Sequence, residues 1–212
     1  NGNISIRDSN IQNYKKIVEY ITSEGGYVFR MGSEKTNQFN LNTKRFIDYA
    51  HSEIRNDFMD IFLCAKSKIF IGTNSGLNNL PLIFGTPIIY LNLIPLSQLN
   101  SQPNSIGVPK LLKNKNSGKF LNFKECLSHP FGNSFYNETF EKANIEVIDN
   151  DENIILEATK EFLDRVNNNF FETEEDLILQ KKFISLLKSG HYGFGTSGKI
   201  STMFLRKYRY LL

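Results

Sequence analysis

The sequence predicts an α/β fold in which a Rossmann-like parallel sheet carries helices on both faces. Short apolar runs of strand length alternate along the chain with stretches whose apolar residues recur at helical spacing. Turn and helix-capping residues separate these runs, so that strand leads into helix several times in succession. Such repeated strand–helix units form right-handed crossovers and build a parallel sheet that is covered on both sides.

The first elements illustrate the pattern. "NISI" predicts a strand at 3–6, and "DSN" caps a helix that begins after residue 9. This helix places Ile11, Tyr14, Ile17, Val18 and Ile21 on one face and ends at two glycines. Further parallel strands are predicted near 27–31, 45–47, 68–72, 87–91 and 145–148, and further helices after residues 56, 75 and 151. An antiparallel hairpin of 68–72 with 87–91 would contradict this prediction.

The remaining segments are less regular. Residues 95–132 are polar and are predicted to form a long loop. Thr173 and Asp176 have the spacing of a capping box and begin another helix. The final segment, "KISTMFLRKYRYLL", is basic and aromatic and is predicted to be helical. We therefore divide the chain into a Rossmann-like domain, residues 1–170, and a C-terminal helical segment, residues 171–212.

Composition limits the classes of function. The 212 residues are 40% hydrophobic and 13% aromatic, which is enough for a proper core. The formal charge of +3 is too small to indicate nucleic-acid binding. Of the two cysteines, Cys64 lies in an apolar run, which favours a reduced, cytosolic chain. No apolar run reaches the roughly 18–20 residues of a membrane span. Because the chain does not start with Met, we interpret its first residue as a cut in a longer protein and not as the natural start. We therefore infer nothing about a targeting signal.

Two motifs resemble ligand sites but have the wrong context. "GFGTSG", residues 193–198, matches a dinucleotide-binding pattern, yet it follows a helix and leaves too little chain for another helix and strand. "DND", residues 149–151, has the form that holds a divalent ion in one class of glycosyltransferases, but acidic residues after a strand also cap helices. We favour the cap. The histidines, His51, His129 and His191, lack metal-ligand spacing, so no metal site is predicted.

"GTNSG", residues 72–76, joins a predicted strand to a predicted helix. A nucleophile elbow needs glycines two positions before and after its serine, whereas here they lie three before and one after. Ser75, Asp149 and His191 nevertheless follow the chain order of a hydrolase triad. The turn is alternatively an ordinary helix cap, or a phosphate site in which small residues and hydroxyls meet the helix N-terminus. The phosphate site would use Thr73, Asn74, Ser75 and Gly76. Pro81 predicts that the following helix is short, kinked or starts later.

The wider stretch "FLCAKSKIFIGTNSGLNNLPLIFGTPIIYLN" resembles the donor-binding half of GT-B glycosyltransferases. In those enzymes a strand leads into a Ser-Gly turn, a short helix, a Gly-x-Pro and another strand. The chain is most similar to a bacterial family of surface-polysaccharide glycosyltransferases. "RDSNIQNYKKIVEYITSEGGYVFRMG", "IDYAHSEIRNDFMDIFLCA" and "FLRKYRYLL" look like other blocks of that family. The resemblance covers most of the chain and is weakest between Ser97 and Asn144.

The resemblance implies a function. Residues 1–170 would bind a nucleotide-sugar donor, and the chain would transfer the sugar to a glycan or lipid-linked acceptor at the cytoplasmic side of a membrane. The acceptor-binding domain, often the source of the catalytic base, would lie outside this chain. No metal and no cofactor would be needed, since the nucleotide sugar is a substrate. A non-catalytic nucleotide- or glycan-binding module, a sugar-nucleotide epimerase and a serine acyl hydrolase remain alternatives.

The resemblance and the strand ends together give further candidate residues for binding the donor. In related fucosyltransferase-type enzymes an arginine ends the first strand and contacts the diphosphate, and Arg7 occupies that place. Arg30, followed by Gly32, ends the second predicted strand and could bind phosphate bidentately, or pair with a surface carboxylate. Tyr49, His51 and Ser52 follow the third strand and could meet the base or ribose. No catalytic residue is assigned.

The basic, aromatic tail has two interpretations. In GT-B enzymes the last helix crosses back onto the first domain, and the apolar residues of "MFLRKYRYLL" would make that contact. Alternatively, the tail binds a membrane surface, where lipid-linked acceptors are found.

Overall fold

The computed structural model describes residues 5–99, 102 and 105–212. The strands are β1 (Val28–Phe29), β2 (Phe46–Ile47), β3 (Phe70–Gly72), β4 (Ile88–Leu93), β5 (Ile106–Pro109), β6 (Leu111–Asn114), β7 (Ile145–Ile148) and β8 (Lys199–Ile200). The α-helices are α1 (Lys15–Ser23), α2 (Asp57–Lys66), α3 (Asn79–Phe84), α4 (Phe123–Leu127), α5 (Asn137–Lys142), α6 (Glu152–Val166), α7 (Glu174–Ser185) and α8 (Thr202–Lys207). Single 3-10 turns span Ile11–Tyr14, Tyr49–His51, Gly76–Asn78 and Arg209–Leu211.

The main sheet consists of β3, β4, β5 and β8 in that order, and every neighbouring pair is parallel. The predicted strands at 68–72 and 87–91 pair in parallel, with Phe70 opposite Ile88, and do not form a hairpin. Every residue of β4 is buried, as expected of a strand that helices cover on both faces. The coarse prediction of a parallel α/β sheet flanked by helices is therefore confirmed.

Three details of the strand prediction differ from the structure. The segment 95–132 is not one loop, because it contains β5, β6 and α4. The strand at 145–148 exists as β7, but it is antiparallel to β6, because two short helices, α4 and α5, reverse the chain between them. The strand at 3–6 is not formed at residues 5 and 6, while residues 3 and 4 lie outside the described residues. The predicted strands at 27–31 and 45–47 do pair in parallel, as β1 and β2.

The helix caps follow the sequence closely. Asn10, in the predicted "DSN" cap, accepts a hydrogen bond from Gln12 N at the start of the first helical turn. Thr173 and Asp176 form the predicted capping box of α7. Asp151 accepts hydrogen bonds from Asn153 N and Ile154 N at the start of α6, so the cap interpretation of "DND" is confirmed.

The core lies between the main sheet and helices α1, α6 and α8, which pack against one another through α6. The apolar residues of the tail belong to this core, since Phe204, Leu205 and Leu211 are at most 5% exposed. These side chains therefore pack on the chain's own domain, while contact of the tail with another domain or with a membrane surface stays a prediction. Cys64 and Cys126 are free, buried thiols, and burial raises the pKa of Cys126 to about 12. Within the described residues, no helix is both long enough and apolar enough to cross a membrane.

Candidate functional site

The turn from Thr73 to Gly76 lies at the carboxyl end of β3, on the edge of the main sheet where parallel α/β sheets bind ligands. The last residue of the strand, Gly72, must be a glycine because a Cβ there would lie 2.5 Å from Asn78 Oδ1. The buried Asn78 side chain folds back over the strand end and donates a hydrogen bond to Thr73 O. The sequence prediction missed this role of Asn78. The turn is thus built around a glycine and a buried amide.

The four residues of the turn divide into a fixed and an open pair. The Asn74 amide donates to Ile94 O at 2.7 Å and to Gln98 Oε1 at 2.5 Å, which ties the turn to the chain after β4. Thr73 is half-buried, and its carbonyl is used by Asn78. Ser75 and Gly76 are exposed, and a Cβ built on Gly76 meets nothing within 4 Å. Ser75 and Gly76 are therefore accessible to a ligand.

The helix after the turn is short, as Pro81 predicts. A 3-10 turn, Gly76–Asn78, precedes α3, which is only six residues long. The N–H groups of Gly76 and Leu77 come before the first hydrogen bond of this turn, which Asn78 N donates to Ser75 O at 3.2 Å. The dipole of so short a helix is small. Any anion here would depend on these local N–H groups and on the Ser75 hydroxyl.

Arg7 lies on the same edge of the sheet, because the segment that contains it crosses the ends of β4 and β5. Asp8 O accepts a hydrogen bond from Lys110 Nζ at 2.7 Å, and Lys110 directly follows β5. Ser9 Oγ accepts one from Asn92 Nδ2 at 2.6 Å, near the end of β4. The Arg7 side chain is exposed. An exposed arginine therefore lies on the edge that carries the Ser75–Gly76 turn.

A buried polar cluster fixes this crossing segment, and sequence reasoning missed most of it. Asn92 is fully buried with a left-handed backbone (φ 55°), and its Oδ1 accepts hydrogen bonds from Asn150 N and Nδ2 at 2.7 and 2.9 Å. Lys110 is buried and forms an ion pair with Asp149 at 2.7 Å. Burial raises the pKa of Tyr14, whose hydroxyl donates to Ser9. The available signals were polar residues inside apolar runs, Asn92 in "YLNLIPL" and Lys110 in "VPKLL".

One atom of the cluster lacks a partner. Asn150 Nδ2 donates to Asn92 Oδ1 and to Pro109 O, which fixes the orientation of the amide. Asn150 Oδ1 is buried and has no hydrogen-bond partner among the described residues. A buried amide oxygen of this kind needs a donor, which a water molecule can supply. A cavity of about 10 Å³ lies beside Lys110, and Asn150 is not among the residues that line it.

Arg30 lies elsewhere and is already engaged. It ends the β1 segment, and its guanidinium contacts Asp48 at 3.0 Å, Asn37 O at 2.7 Å and Thr36 Oγ1 at 2.8 Å. Its side chain is 11% exposed. This is the carboxylate pairing that the sequence left as the alternative to phosphate binding. Arg30 thus holds the loop that follows Gly32, whose φ of 140° turns the chain at that point.

The candidates for the base or ribose also stabilise this loop region. His51 Nδ1 lies 3.0 Å from Asp48 Oδ2, and its Nε2 lies 2.8 Å from Thr36 O. Tyr49 is fully buried, and its hydroxyl donates to Asn56 O at 3.1 Å. Ser52 Oγ donates to Tyr49 O at 2.9 Å. Their polar groups are thus bonded to the protein itself, and contact of these residues with a base or ribose stays a prediction.

The residues of the suggested hydrolase triad are not brought together. The nearest partner of Ser75 Oγ is Asn78 Oδ1, at 3.4 Å. Asp149 binds Lys110 and accepts from Asn10 N. The ring nitrogens of His191 contact Leu127 O and Lys188 N. No group of three or more metal-ligating side chains occurs within the described part of the chain.

Comparison with protein-family models, with curated proteins and with solved structures found no match for this chain. The assignment of function therefore depends on the chain's own residues and on the resemblance described above.

Proposed function

We propose that this chain is the donor-binding half of a glycosyltransferase. It binds a nucleotide-activated sugar by its diphosphate, and the sugar is transferred to a glycan acceptor of the cell surface. The observation that carries the proposal is the open Ser75–Gly76 turn at the carboxyl end of a parallel strand. Backbone N–H groups, a hydroxyl and room for close approach are what a phosphate group requires.

The charges on this edge support a diphosphate ligand. Arg7 is exposed on the edge, and the charge of the nearby Lys110 is balanced by Asp149. Arg7 is therefore the cation that we assign to the donor, with the turn as the second contact. Together they would stabilise the departing diphosphate electrostatically, as bond breaking in glycosyl transfer requires.

A second candidate function is a non-catalytic nucleotide- or glycan-binding module. This function is favoured because Asp149, a carboxylate near this edge, already forms an ion pair with Lys110 and accepts a hydrogen bond from Asn10 N. Proton transfer by this chain would require Asp149 to leave these partners. A binding function does not require any such change, and in a transferase the base would come from another domain.

The test is a thermal-shift and calorimetric panel of uridine, guanosine, thymidine and adenosine diphosphates, each with and without an attached sugar. We expect one nucleotide to bind, and Arg7→Ala to weaken this binding by about tenfold because it removes a charge-assisted contact. The matched control is Arg209→Ala, an arginine at the opposite end of the chain that pairs with the exposed Glu175.

The outcomes separate the candidates. If no nucleotide binds, or if the two arginine variants behave alike, the proposed donor site is wrong. If a nucleotide binds but the protein that contains this chain transfers no sugar, the binding module is the better assignment.

A further inference from the structure

A second cavity opens on the side of the molecule away from the turn. Its volume is about 320 Å³, at the lower end of the roughly 300–1,000 Å³ of small-molecule sites. Ile106 and Lys199, which begin β5 and β8, lie in its wall together with Ser105, directly before β5. The cavity is therefore at the amino edge of the main sheet, whereas Ser75 and Arg7 lie at the carboxyl edge.

The cavity wall offers hydrogen-bonding groups of both kinds. Arg165, Lys199 and the Asn168 amide supply donors. The Gln102 amide nitrogen donates to Thr86 O at 3.2 Å, which fixes the orientation of that side chain. Its Oε1 is buried and has no hydrogen-bond partner among the residues that the structure describes. This oxygen is closed off from the cavity, so the acceptor that we assign to the wall is the amide oxygen of the exposed Asn168.

Charge balance decides between an anion and a neutral ligand. Arg165 Nε contacts Glu161 at 2.8 Å, and Arg165 Nη2 contacts Glu172 at 3.1 Å. Lys199 forms an ion pair with the same Glu172. Two cations are thus matched by two carboxylates. Glu161 and Glu172 do not line the cavity, but they repel a phosphate there and so offset part of the attraction that Arg165 and Lys199 exert on it. A neutral polar ligand does not meet this repulsion.

An apolar surface completes the wall. Phe170 lines the cavity, and the Arg165 guanidinium lies 4.2 Å from the centre of its ring. Ile106 adds a second apolar group. Sugars combine a ring of hydroxyl groups with apolar C–H faces, and a wall of polar groups with a few apolar ones matches that combination.

We propose that this cavity binds an uncharged, polyhydroxylated ligand of about the size of one sugar ring. The proposal is independent of the nucleotide site, because it uses different residues at the opposite edge of the sheet. Experiments could therefore disprove the nucleotide site while showing that this cavity binds a sugar, or disprove sugar binding here while showing that the nucleotide site is correct.

The experiment follows the backbone amide signals of the folded chain by nuclear magnetic resonance during titration. The probes are glucose, galactose, N-acetylglucosamine and, separately, inorganic phosphate, at low and at high salt. We expect at least one sugar to shift the signals of Asn168, Lys199 and their neighbours at millimolar concentration. We expect this binding to be insensitive to salt, and phosphate to leave the same signals in place.

Two matched variants test the role of the cavity wall. Asn168 and Asn144 both have a left-handed backbone, with φ of 59° and 57°, which glycine adopts without strain. Asn168→Gly removes an amide from the cavity and should weaken the sugar by about fivefold, the effect of one net hydrogen bond. Asn144→Gly, which makes the same change away from the cavity, should leave the affinity unchanged.

Several results would overturn the proposal. These are the absence of any sugar-dependent shift at the cavity, an unchanged affinity in Asn168→Gly, and equal weakening in both variants. Salt-sensitive shifts with phosphate but none with sugars would make the cavity an anion site instead.

Discussion

Gly76 and Ser75 are the two residues of the β3–α3 turn whose surroundings are open. Gly76 has no atom within 4 Å of the position that a Cβ would occupy, so a side chain there disturbs no protein contact. Ser75 has one weak contact, at 3.4 Å from Asn78 Oδ1. Changes at either position should therefore affect a bound ligand more than the fold.

The first prediction concerns nucleotide binding at this turn. Gly76→Val should abolish it by filling the space that phosphate needs, without lowering the melting temperature. Ser75→Ala should weaken it by about 1.5–3 kcal/mol, the cost of losing a hydrogen bond to a charged group. Calorimetry measures both, with Ser185→Ala, an exposed serine of α7, as the control. Normal affinity in the folded variants would mean that the turn only begins a helix.

The second prediction concerns Arg30, whose partners are all protein groups. Arg30→Ala leaves Asp48 with an unbalanced charge in a site where its side chain is only 13% exposed. We expect a loss of about 3 kcal/mol in unfolding free energy, the lower end of the cost of breaking a buried pair. Proteolysis of the loop after Gly32 should also become faster.

The controls for Arg30 are chosen by exposure. Arg209→Ala removes an arginine from a pair in which both side chains are 67% exposed, and urea unfolding should barely change. If Arg30→Ala unfolds at the wild-type urea concentration but loses nucleotide affinity, Arg30 is a ligand-binding residue after all.

At the scale of elements, the parts that sequence predicted well are those with local signals. The periodicity of the first helix, the capping box of Thr173 and Asp176, and the apolar runs of β3 and β4 each lie within a few neighbouring residues. β5 was missed because it is short, ends in Pro109 and follows polar residues, and β8 because it is two residues long. β5 is a strand only because it pairs with β4, and β8 only because it pairs with β5. Long-range pairing leaves little trace in a single sequence.

The candidate site follows the same rule. Its glycine-serine turn could be predicted, because a strand end and a helix start are local features. The cluster of Asn92, Lys110 and Asn150 could not, because its hydrogen bonds join distant residues: Asn92 and Asn150 are 58 positions apart, and Lys110 and Asp8 are 102 positions apart. Arg30 has the chemistry of a phosphate ligand, and only the positions of Asp48 and Thr36 reveal its other role.

The third prediction concerns the join between α7 and α8. Arg206 donates two hydrogen bonds to Asp176, at 2.7 and 2.6 Å, and they hold the pKa of this buried carboxyl at about 2. The pKa in the unfolded chain is near 3.9, so the unfolded state binds more protons between these values. The stabilisation is present above about pH 5 and is lost as the pH falls towards about 2.

The expected size of this effect is about 1–2 kcal/mol, because Arg206 is 43% exposed and water screens part of the attraction. Urea unfolding of the wild type at neutral pH and near pH 3 measures the loss, which Asp176→Asn should remove. Glu175→Gln, a change at the exposed neighbouring carboxylate, should leave the pH dependence as it is. An unaltered acid response in Asp176→Asn would contradict the assignment.

At the scale of the whole molecule, the chain is held together where its first described residues cross the main sheet. Asn92, near the end of β4, joins two distant parts of the chain to this strand. Its Nδ2 donates a hydrogen bond to Ser9, and its Oδ1 accepts hydrogen bonds from Asn150. In the same cluster, Lys110 donates a hydrogen bond to Asp8 O and forms an ion pair with Asp149. Because Arg7 directly precedes these contacts, its position on the carboxyl edge of the sheet depends on them.

The last prediction separates the two roles of Asn92, its backbone and its hydrogen bonds. Asn92→Gly keeps the left-handed backbone but leaves the buried donors of Asn150 unpaired, which should cost about 1–3 kcal/mol of unfolding free energy. Asn92→Ala loses the same bonds and adds about 1–2 kcal/mol of backbone strain. The unfolding free energy measured in urea should therefore be highest for the wild type, lower for Asn92→Gly and lowest for Asn92→Ala. Hydrogen exchange of residues 9–14 should speed up in both. As a control, Asn144→Gly and Asn144→Ala should differ in unfolding free energy by the same backbone strain, while hydrogen exchange of residues 9–14 stays at the wild-type rate. If hydrogen exchange of residues 9–14 were also unchanged in Asn92→Gly, Asn92 would not hold the crossing segment. The position of Arg7 would then depend on other contacts.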